Sequence, residues 1–227
     1  MIEQLLPYPV HVVSAVDDPP GPGLFPAEEA LIANAVESRR NEFTTGRRCA
    51  RQALSKLGHP VAPLLSGTRG EPLWPPGVRG SITHCEGYRA AAVARGGDLF
   101  SLGMDVERVR VVPPGVFEAV SSRQERSLGD RYRRHLPAVP WELLLFSAKE
   151  SVYKAWFPLT GRSLGFEEAA VEFDPYEGTF EARLLVPGPR WGDSTLGGFS
   201  GRWAVRPGFV LTAVTVPVPP AGGTTSR

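Results

Sequence analysis

Two short stretches carry residue types and spacings able to do chemistry. In GMDVERV, Gly103 to Val109, apolar and charged residues alternate. An extended chain would put Met104 and Val106 on the core face and Asp105 and Glu107 together on the other. Residues two apart on a strand lie roughly 6.5–7 Å apart at Cα. Such an acid pair suits a hard divalent cation, because Mg²⁺ takes oxygen ligands and combines a few carboxylates with water and phosphate oxygens. The plainer reading is an exposed strand whose acidic face is solvated and balanced by Arg108 or Arg110, and Asp-x-Glu alone favours it.

The second stretch is FSAKESVYKAW, Phe146 to Trp156. On a helix Glu150 and Lys154 share a face, and Lys149 lies about 100° round from Glu150. Structural readings are available here too. Ser147 and Glu150 fit a capping box, and Glu150 with Lys154 fits a surface ion pair worth about 0.3–0.5 kcal/mol. Ser151-Val-Tyr-Lys154 also matches the Ser-x-x-Lys nucleophile motif of penicillin-binding proteins, but its companions Lys-Thr-Gly and Ser-Asp-Asn do not occur. In SITHCEGYRAAAVA, His84 ends a strand at a hairpin, where it can reach a ligand. Its neighbour Cys85 would point to the opposite face, which is poor geometry for a nucleophile and its base.

These residues need elements to position them. A Pro/Gly-rich loop, 17–26, leads into a helix that begins at Pro26 and ends in ESRRNEF. A second helix is expected from about Thr45 to Leu57, stopped by Gly58 and Pro60. A long loop, 59–79, precedes three strands: VRGSITHC, YRAAAVAR and LFSLGMDVERV. A helix around Val116–Ala119, a basic polar stretch to His135 and a strong helix over Trp141–Trp156 follow, then strands within 166–186 and 197–216. The pattern is α+β, in two similar-sized lobes of helices and antiparallel strands.

Composition excludes some classes. The 227 residues carry 25 basic against 24 acidic side chains, for a net charge of +1, which argues against a general nucleic-acid surface. Lysine occurs only at 56, 149 and 154. Two cysteines, Cys49 and Cys85, make neither a disulfide framework nor a metal-spaced pair. No basic leader precedes the N-terminal apolar residues, and no apolar run approaches the ~18–20 residues of a membrane helix. A reducing cytoplasm is the expectation.

Taken together, RRNEFTTGRRCAR, RGEPLWP, GSITHCEGYRAAAVA, GMDVE and FSAKESVYKAWFP, running from residue 39 to 158, resemble the 4′-phosphopantetheinyl transferases of the surfactin-synthetase and enterobactin-synthetase type, in an actinobacterial-like variant. The resemblance implies an enzyme that takes coenzyme A as co-substrate and Mg²⁺, or Mn²⁺, as cofactor. It moves the phosphopantetheine arm to a serine of an apo acyl or peptidyl carrier protein and releases adenosine 3′,5′-bisphosphate. It also implies a monomer of two pseudo-twofold α+β lobes with the site between them, here 1–102 and 103–216, before a disordered tail, 217–227. No nucleic acid or membrane partner is implied.

Residue by residue, the resemblance makes Asp105 and Glu107 metal ligands, and Glu150 a third acid that is metal ligand, general base toward the serine, or both. Lys154 becomes a pyrophosphate contact with Lys149 beside it, and His84 a phosphate contact with Ser81 and Thr83 on its strand. Arg39 and Arg47 hold the 3′-phosphate. Arg69-Gly70-Glu71-Pro72 forms the adenine-side loop, with Glu71 where many relatives carry lysine. The basic stretch Arg123–His135 is a candidate rim for an acidic carrier, or a solvated polar helix. The alternatives are a Ser-x-x-Lys hydrolase on Ser151 and Lys154, and a non-catalytic module that binds coenzyme A or a carrier.

Overall fold

A computed structural model describes residues 1–219. A 3-10 turn, Ile2–Leu5, precedes β1 (His11–Ala15) and the short helix α1 (Pro26–Glu29), which runs into a second 3-10 turn, Ala30–Ile32. Next come α2 (Glu37–Lys56), β2 (Val78–Cys85), β3 (Tyr88–Arg95) and β4 (Leu99–Arg108). Three helices follow: α3 (Pro114–Val120), α4 (Arg123–His135) and α5 (Trp141–Thr160). After the 3-10 turn Phe166–Glu168 come β5 (Ala169–Asp174), β6 (Thr179–Leu184), β7 (Arg190–Trp191), β8 (Ser194–Thr195), β9 (Gly198–Arg206) and β10 (Phe209–Pro217).

The strands form an antiparallel three-stranded sheet, β1-β3-β2, and an antiparallel five-stranded sheet, β4-β10-β9-β6-β5, with β7-β8 a small separate pair. The small side chains of YRAAAVAR make β3 a central strand that neighbours can approach on both faces. Ala91 and Val93 pack against Cys49, Ala50, Ala53 and Leu54 of α2. Ala90 and Ala92 face the other way, into a cluster with Leu102, Met104 and Val106 of β4 and Phe209, Leu211 and Ala213 of β10. The two sheets thus share one apolar layer, plugged at one end by Ile2 and Leu5. Full burial of such side chains stabilises the fold by about 1.5–3 kcal/mol each.

The opposite face of β4 meets α5, whose Leu144, Ala148, Val152, Ala155 and Trp156 enter the largest core cluster. A Cβ on Gly103 would lie 2.0 Å from Ser151 O and 2.6 Å from Ala155 N, so α5 rests on bare backbone there.

Both edges of the five-stranded sheet are closed by side chains rather than by strands. Along β4, Met104 N–H donates to Ser81 Oγ at 3.1 Å and Val106 N–H to Thr83 Oγ1 at 3.0 Å. Along β5, Val171 N–H donates to Glu125 Oε1 at 2.9 Å and Phe173 N–H to Tyr132 Oη at 3.3 Å, both acceptors on α4. The hydroxyls of β2 therefore staple one sheet to the other, and α4 blocks the far edge against further pairing.

Several expectations need correction. ESRRNEF opens α2 instead of closing the helix before it, because Val36 is extended and the buried stripe already begins at Phe43. The helix at Pro26 is four residues long. Ser147 and Glu150 form no cap, since α5 starts at Trp141 and continues to Thr160, ending at left-handed Gly161. The segments 166–186 and 197–216 each contain a hairpin, β5-β6 and β9-β10. Strand β1 had no sequence signal beyond HVVSA, and its pairing with β3 makes it a strand. Of the expected tail, Pro217 belongs to β10, Val218 and Pro219 follow it without regular structure, and 220–227 lie outside the described residues.

Candidate active site

Helix α2, the loop after it, β2 and α5 enclose a cleft of about 210 Å³. Arg39, Phe43 and Arg47, each four residues from the next, present one face of α2 to it. The Arg47 guanidinium lies 4.3 Å from the Phe43 ring centroid; its Nε donates to Leu64 O at 2.8 Å and one amino group to Ser66 Oγ at 2.7 Å. Burial brings Arg47 down to about 10, still charged at neutral pH. Arg39 donates to His84 Nε2 at 2.6 Å, and His84 Nδ1 faces Glu42 Oε2 at 3.3 Å. A guanidinium only donates, so Nε2 is the acceptor and the ring is neutral. Burial first, then the Arg39 charge, pull His84 below its ordinary range, consistent with that neutral ring.

The second wall is the loop carrying Arg69, Gly70, Glu71 and Pro72. Gly70 has φ +84°, which needs glycine. Glu71 turns back on its own loop: its Oε2 accepts from Arg69 N–H at 2.9 Å and its carbonyl from Gly67 N–H at 2.8 Å. This carboxylate therefore stabilises the turn. The third wall is α5, with Tyr153 and Phe157 stacked at 5.8 Å between centroids, and Lys154.

Lys154 joins this cleft to an acidic centre. Its Nζ lies 2.6 Å from Asp105 Oδ1. Thr83 Oγ1 lies 3.4 Å from the same oxygen, and Ser147 donates to Oδ2 at 2.8 Å. Ser147 is held in turn by Thr212, 2.9 Å away, which stands opposite Asp105 in the β4–β10 register. Asp105 is 4% exposed, so the acidic face of β4 packs under α5 and is not a solvated surface. Glu107 meets Arg110 at 3.3 Å. Burial and then the Asp105 charge push Glu107 up to about 7. Burial also raises Glu150, with Lys154 opposing the shift and Asp105 adding to it.

Among the described residues no three of His, Cys, Asp and Glu converge as a metal-binding group. Asp105 and Glu107 stand two apart on β4, and Glu150 lies within electrostatic reach of both carboxylates. Two carboxylates that repel each other in a half-dry setting fit a hard divalent cation that completes its shell with water and phosphate oxygens.

Nine of the sequence-predicted residues line the cleft: Arg39, Arg47, Arg69, Gly70, Glu71, Pro72, Ser81, His84 and Lys154. Thr83 does not, being 1% exposed with its hydroxyl spent on Val106 N–H and Asp105. Lys149 does not line it either: its side chain is 3% exposed and paired with Glu125 at 2.9 Å. Burial lowers its pKa, and the Glu125 bond pulls it back up. Ser151 is fully buried and donates to Ala148 O at 2.9 Å, while Lys154 is taken by Asp105, so no Ser-Lys dyad exists. Burial, then Glu107 and Asp105, push the Cys85 thiol up to about 12, the wrong direction for a nucleophile.

Sequence reasoning missed Glu42, Phe43, Tyr153 and Phe157. The signal was helical spacing: residues 39, 42, 43, 46 and 47 share one face of α2, and 150, 153, 154 and 157 one face of α5. Ending a helix inside ESRRNEF hid the first of these faces.

A basic cleft walled by a buried arginine, opening through one lysine onto a carboxylate pair, sets the class: an α+β enzyme with a cationic cleft beside an acidic centre. Residues 27–94 match the family model for the 4′-phosphopantetheinyl transferase N-terminal domain, and residues 101–194 that of the 4′-phosphopantetheinyl transferase superfamily. The chain is 52% identical over 222 residues to 4′-phosphopantetheinyl transferase Svp of Streptomyces mobaraensis, covering 96% of this chain and 90% of that one. It is 48% identical over 203 residues to 4′-phosphopantetheinyl transferase PptT of Mycobacterium tuberculosis, covering 88% of each. It is 46% identical over 222 residues to 4′-phosphopantetheinyl transferase Npt of Nocardia iowensis, covering 94% of this chain and 99% of that one. The chain belongs to the 4′-phosphopantetheinyl transferase family.

Proposed function

We propose that this protein transfers the 4′-phosphopantetheine arm of coenzyme A to a serine hydroxyl of an apo acyl or peptidyl carrier protein, releasing adenosine 3′,5′-bisphosphate. The observation that carries the reading is Lys154, which lines the cationic cleft and touches Asp105 at 2.6 Å, so that anion and metal sites are contiguous.

In this reading Arg39 and Arg47 bind the 3′-phosphate. Arg47 already spends Nε and one amino group on Leu64 and Ser66, which fixes its fork and leaves its other N–H groups for an anion. The Arg69–Pro72 loop flanks the adenine, and His84, Ser81 and Lys154 face the diphosphate. Asp105 and Glu107, with Glu150 in reach, would hold Mg²⁺ or Mn²⁺. A bound divalent cation supplies neutralisation of diphosphate charge. Glu150 accepts the serine proton as the new O–P bond forms, and the P–O bond to the adenosine bisphosphate breaks. Its raised pKa makes it a better base at neutral pH than an ordinary carboxylate. Lys154 stabilises the charge that builds on the departing phosphate.

The reading includes a monomer of two pseudo-twofold lobes acting in the cytoplasm, with their boundary moved from 102/103 to the turn before β4, because Leu99–Arg108 is one strand paired with β10. Two free cysteines and the absence, among the described residues, of a helix long and apolar enough to cross a membrane agree with that setting. Incubation with a panel of apo carriers, coenzyme A and Mg²⁺, read by intact-protein mass spectrometry, should add one phosphopantetheine. No gain on any carrier would reject the reading.

A further inference from the structure

Four segments meet at the Glu125–Lys149 pair. The Glu125 carboxylate accepts from Ser122 N–H at 2.7 Å, closing the capping box of α4, and from Val171 N–H at 2.9 Å on the edge of β5. It also takes Lys149 Nζ at 2.9 Å. Lys149 then donates to Phe166 O at 2.6 Å. Both charged side chains are 3% exposed. Lys149 itself, with Glu150, Tyr153, Leu164 and Phe166, borders a second cavity of about 300 Å³.

We propose that Lys149 is a positioning residue of the transfer reaction and not a coenzyme ligand. Tethered to Glu125 and Phe166, it fixes the rotation of α5 about its own axis, and with it the direction Glu150 faces. The inference rests on the reading of Glu150 as the acid that meets the acceptor serine.

The geometry is that of a clamp. On an α-helix Lys149 points about 200° away from Ser147 and about 140° away from Lys154. Ser147 and Lys154 are bound to Asp105 on β4, while Lys149 is bound to α4 and the turn after α5. Attachments on opposing sides resist rotation in either sense. A helix with side chains has a radius of about 5–6 Å, so a turn of about 10–20° moves a carboxylate by roughly 1–2 Å. A misplacement of about 1 Å can lower turnover about 10²-fold. Glu125 suits the anchor, because its two backbone donors fix it before the lysine arrives.

Two variants test this in the full-length protein: Lys149→Met, and the double variant Lys149→Met with Glu125→Gln. Lys149→Met leaves a buried carboxylate without its cation, and should lower the melting temperature by roughly 10 °C. Its kcat should fall about 10²-fold while the Kd for coenzyme A stays within about threefold. In the double variant the Glu125→Gln change removes the stranded charge and keeps a side-chain oxygen for one of the two backbone donors, Ser122 N–H or Val171 N–H. That variant should recover part of the melting temperature and several-fold in kcat over the single variant. A tenfold or greater loss of coenzyme affinity in Lys149→Met with an unchanged melting temperature would make Lys149 a ligand and overturn the proposal. A double variant no better than the single would overturn it as well. If the unaltered protein transferred nothing to any carrier, the functional reading would fail by itself, and melting and calorimetry would still decide between tether and ligand.

Discussion

Lys154 Nζ sits 2.6 Å from Asp105 Oδ1, so one residue belongs both to the cationic cleft and to the acidic strand. Lys154→Met keeps an unbranched aliphatic stem and removes the charge. Because a group aimed at developing charge is typically worth about 10²–10³ in rate, kcat/KM for carrier modification should fall by about that factor. Steady-state kinetics with saturating Mg²⁺ would check it. A variant within twofold of the unaltered protein would remove Lys154 from the chemistry.

Asp105 owes its orientation to a second pair. Ser147 donates to Oδ2 at 2.8 Å, and Thr212 holds Ser147 from the facing strand. Ser147→Ala removes a hydrogen bond to a charged group, at a cost of about 1.5–3 kcal/mol. With Asp105 as the proposed metal ligand, loss of its orienting partner should weaken Mg²⁺ binding about 10–100-fold. Thr212→Val acts on the same bond, so the two losses should combine sub-additively in the double variant. Denaturant unfolding and calorimetric Mg²⁺ titration measure the two effects. Full additivity would mean the residues act separately.

The hairpin β2-β3, strand β4 and the core of α5 were legible in the sequence because alternation or a helical stripe repeats within a few residues. The cleft residues Arg39, Arg47, His84 and Lys154 were legible through family resemblance, since no local pattern links positions over a hundred residues apart. What stayed hidden depends on long-range pairing. HVVSA becomes a strand because β3 is there to receive it. Lys149 and Lys154 are both lysines on one helix, yet the first meets Glu125 and the second Asp105. Only the packing of α4 against β5 decides which lysine is buried away from the cleft.

Glu107 makes stability depend on pH in a definite direction. Burial and Asp105 hold its carboxyl up at about 7 in the folded protein, against an ordinary value of 4.5. Between those values the folded chain keeps a proton that the unfolded chain has released, so stability falls as pH rises through that window. The penalty is absent below the ordinary value and complete above about 7. For chelator-treated protein the melting temperature should decline from pH 5 toward pH 7.5, and Glu107→Gln should flatten that part of the profile. Identical slopes in both proteins would show that Glu107 ionises without cost. Added Mg²⁺ should raise the melting temperature most at the upper end, where the carboxylate pair is fully charged.

Gly103 sets how closely α5 can approach the acidic strand, and its effect on stability should oppose that of a glycine elsewhere. A Cβ there would meet Ser151 O at 2.0 Å and Ala155 N at 2.6 Å, both backbone atoms that cannot swing aside. Gly103→Ala therefore forces α5 off β4, stretching the Ser147 and Lys154 bonds to Asp105 together. Overpacking of this kind costs about 1–3 kcal/mol, a fall of roughly 3–10 °C in melting temperature for a chain of this length. Transfer activity should drop further than stability alone explains, because the charges on Asp105 and Lys154 separate. Gly129 lies inside α4, and a Cβ there meets nothing within 4 Å. Gly129→Ala should accordingly stabilise by about 0.5–1 kcal/mol through the unfolded chain's lost freedom. Melting both variants side by side checks the pair of signs. A Gly103→Ala protein as stable and active as its parent would show that α5 has room to shift, and that the close contact with β4 does not position the acids.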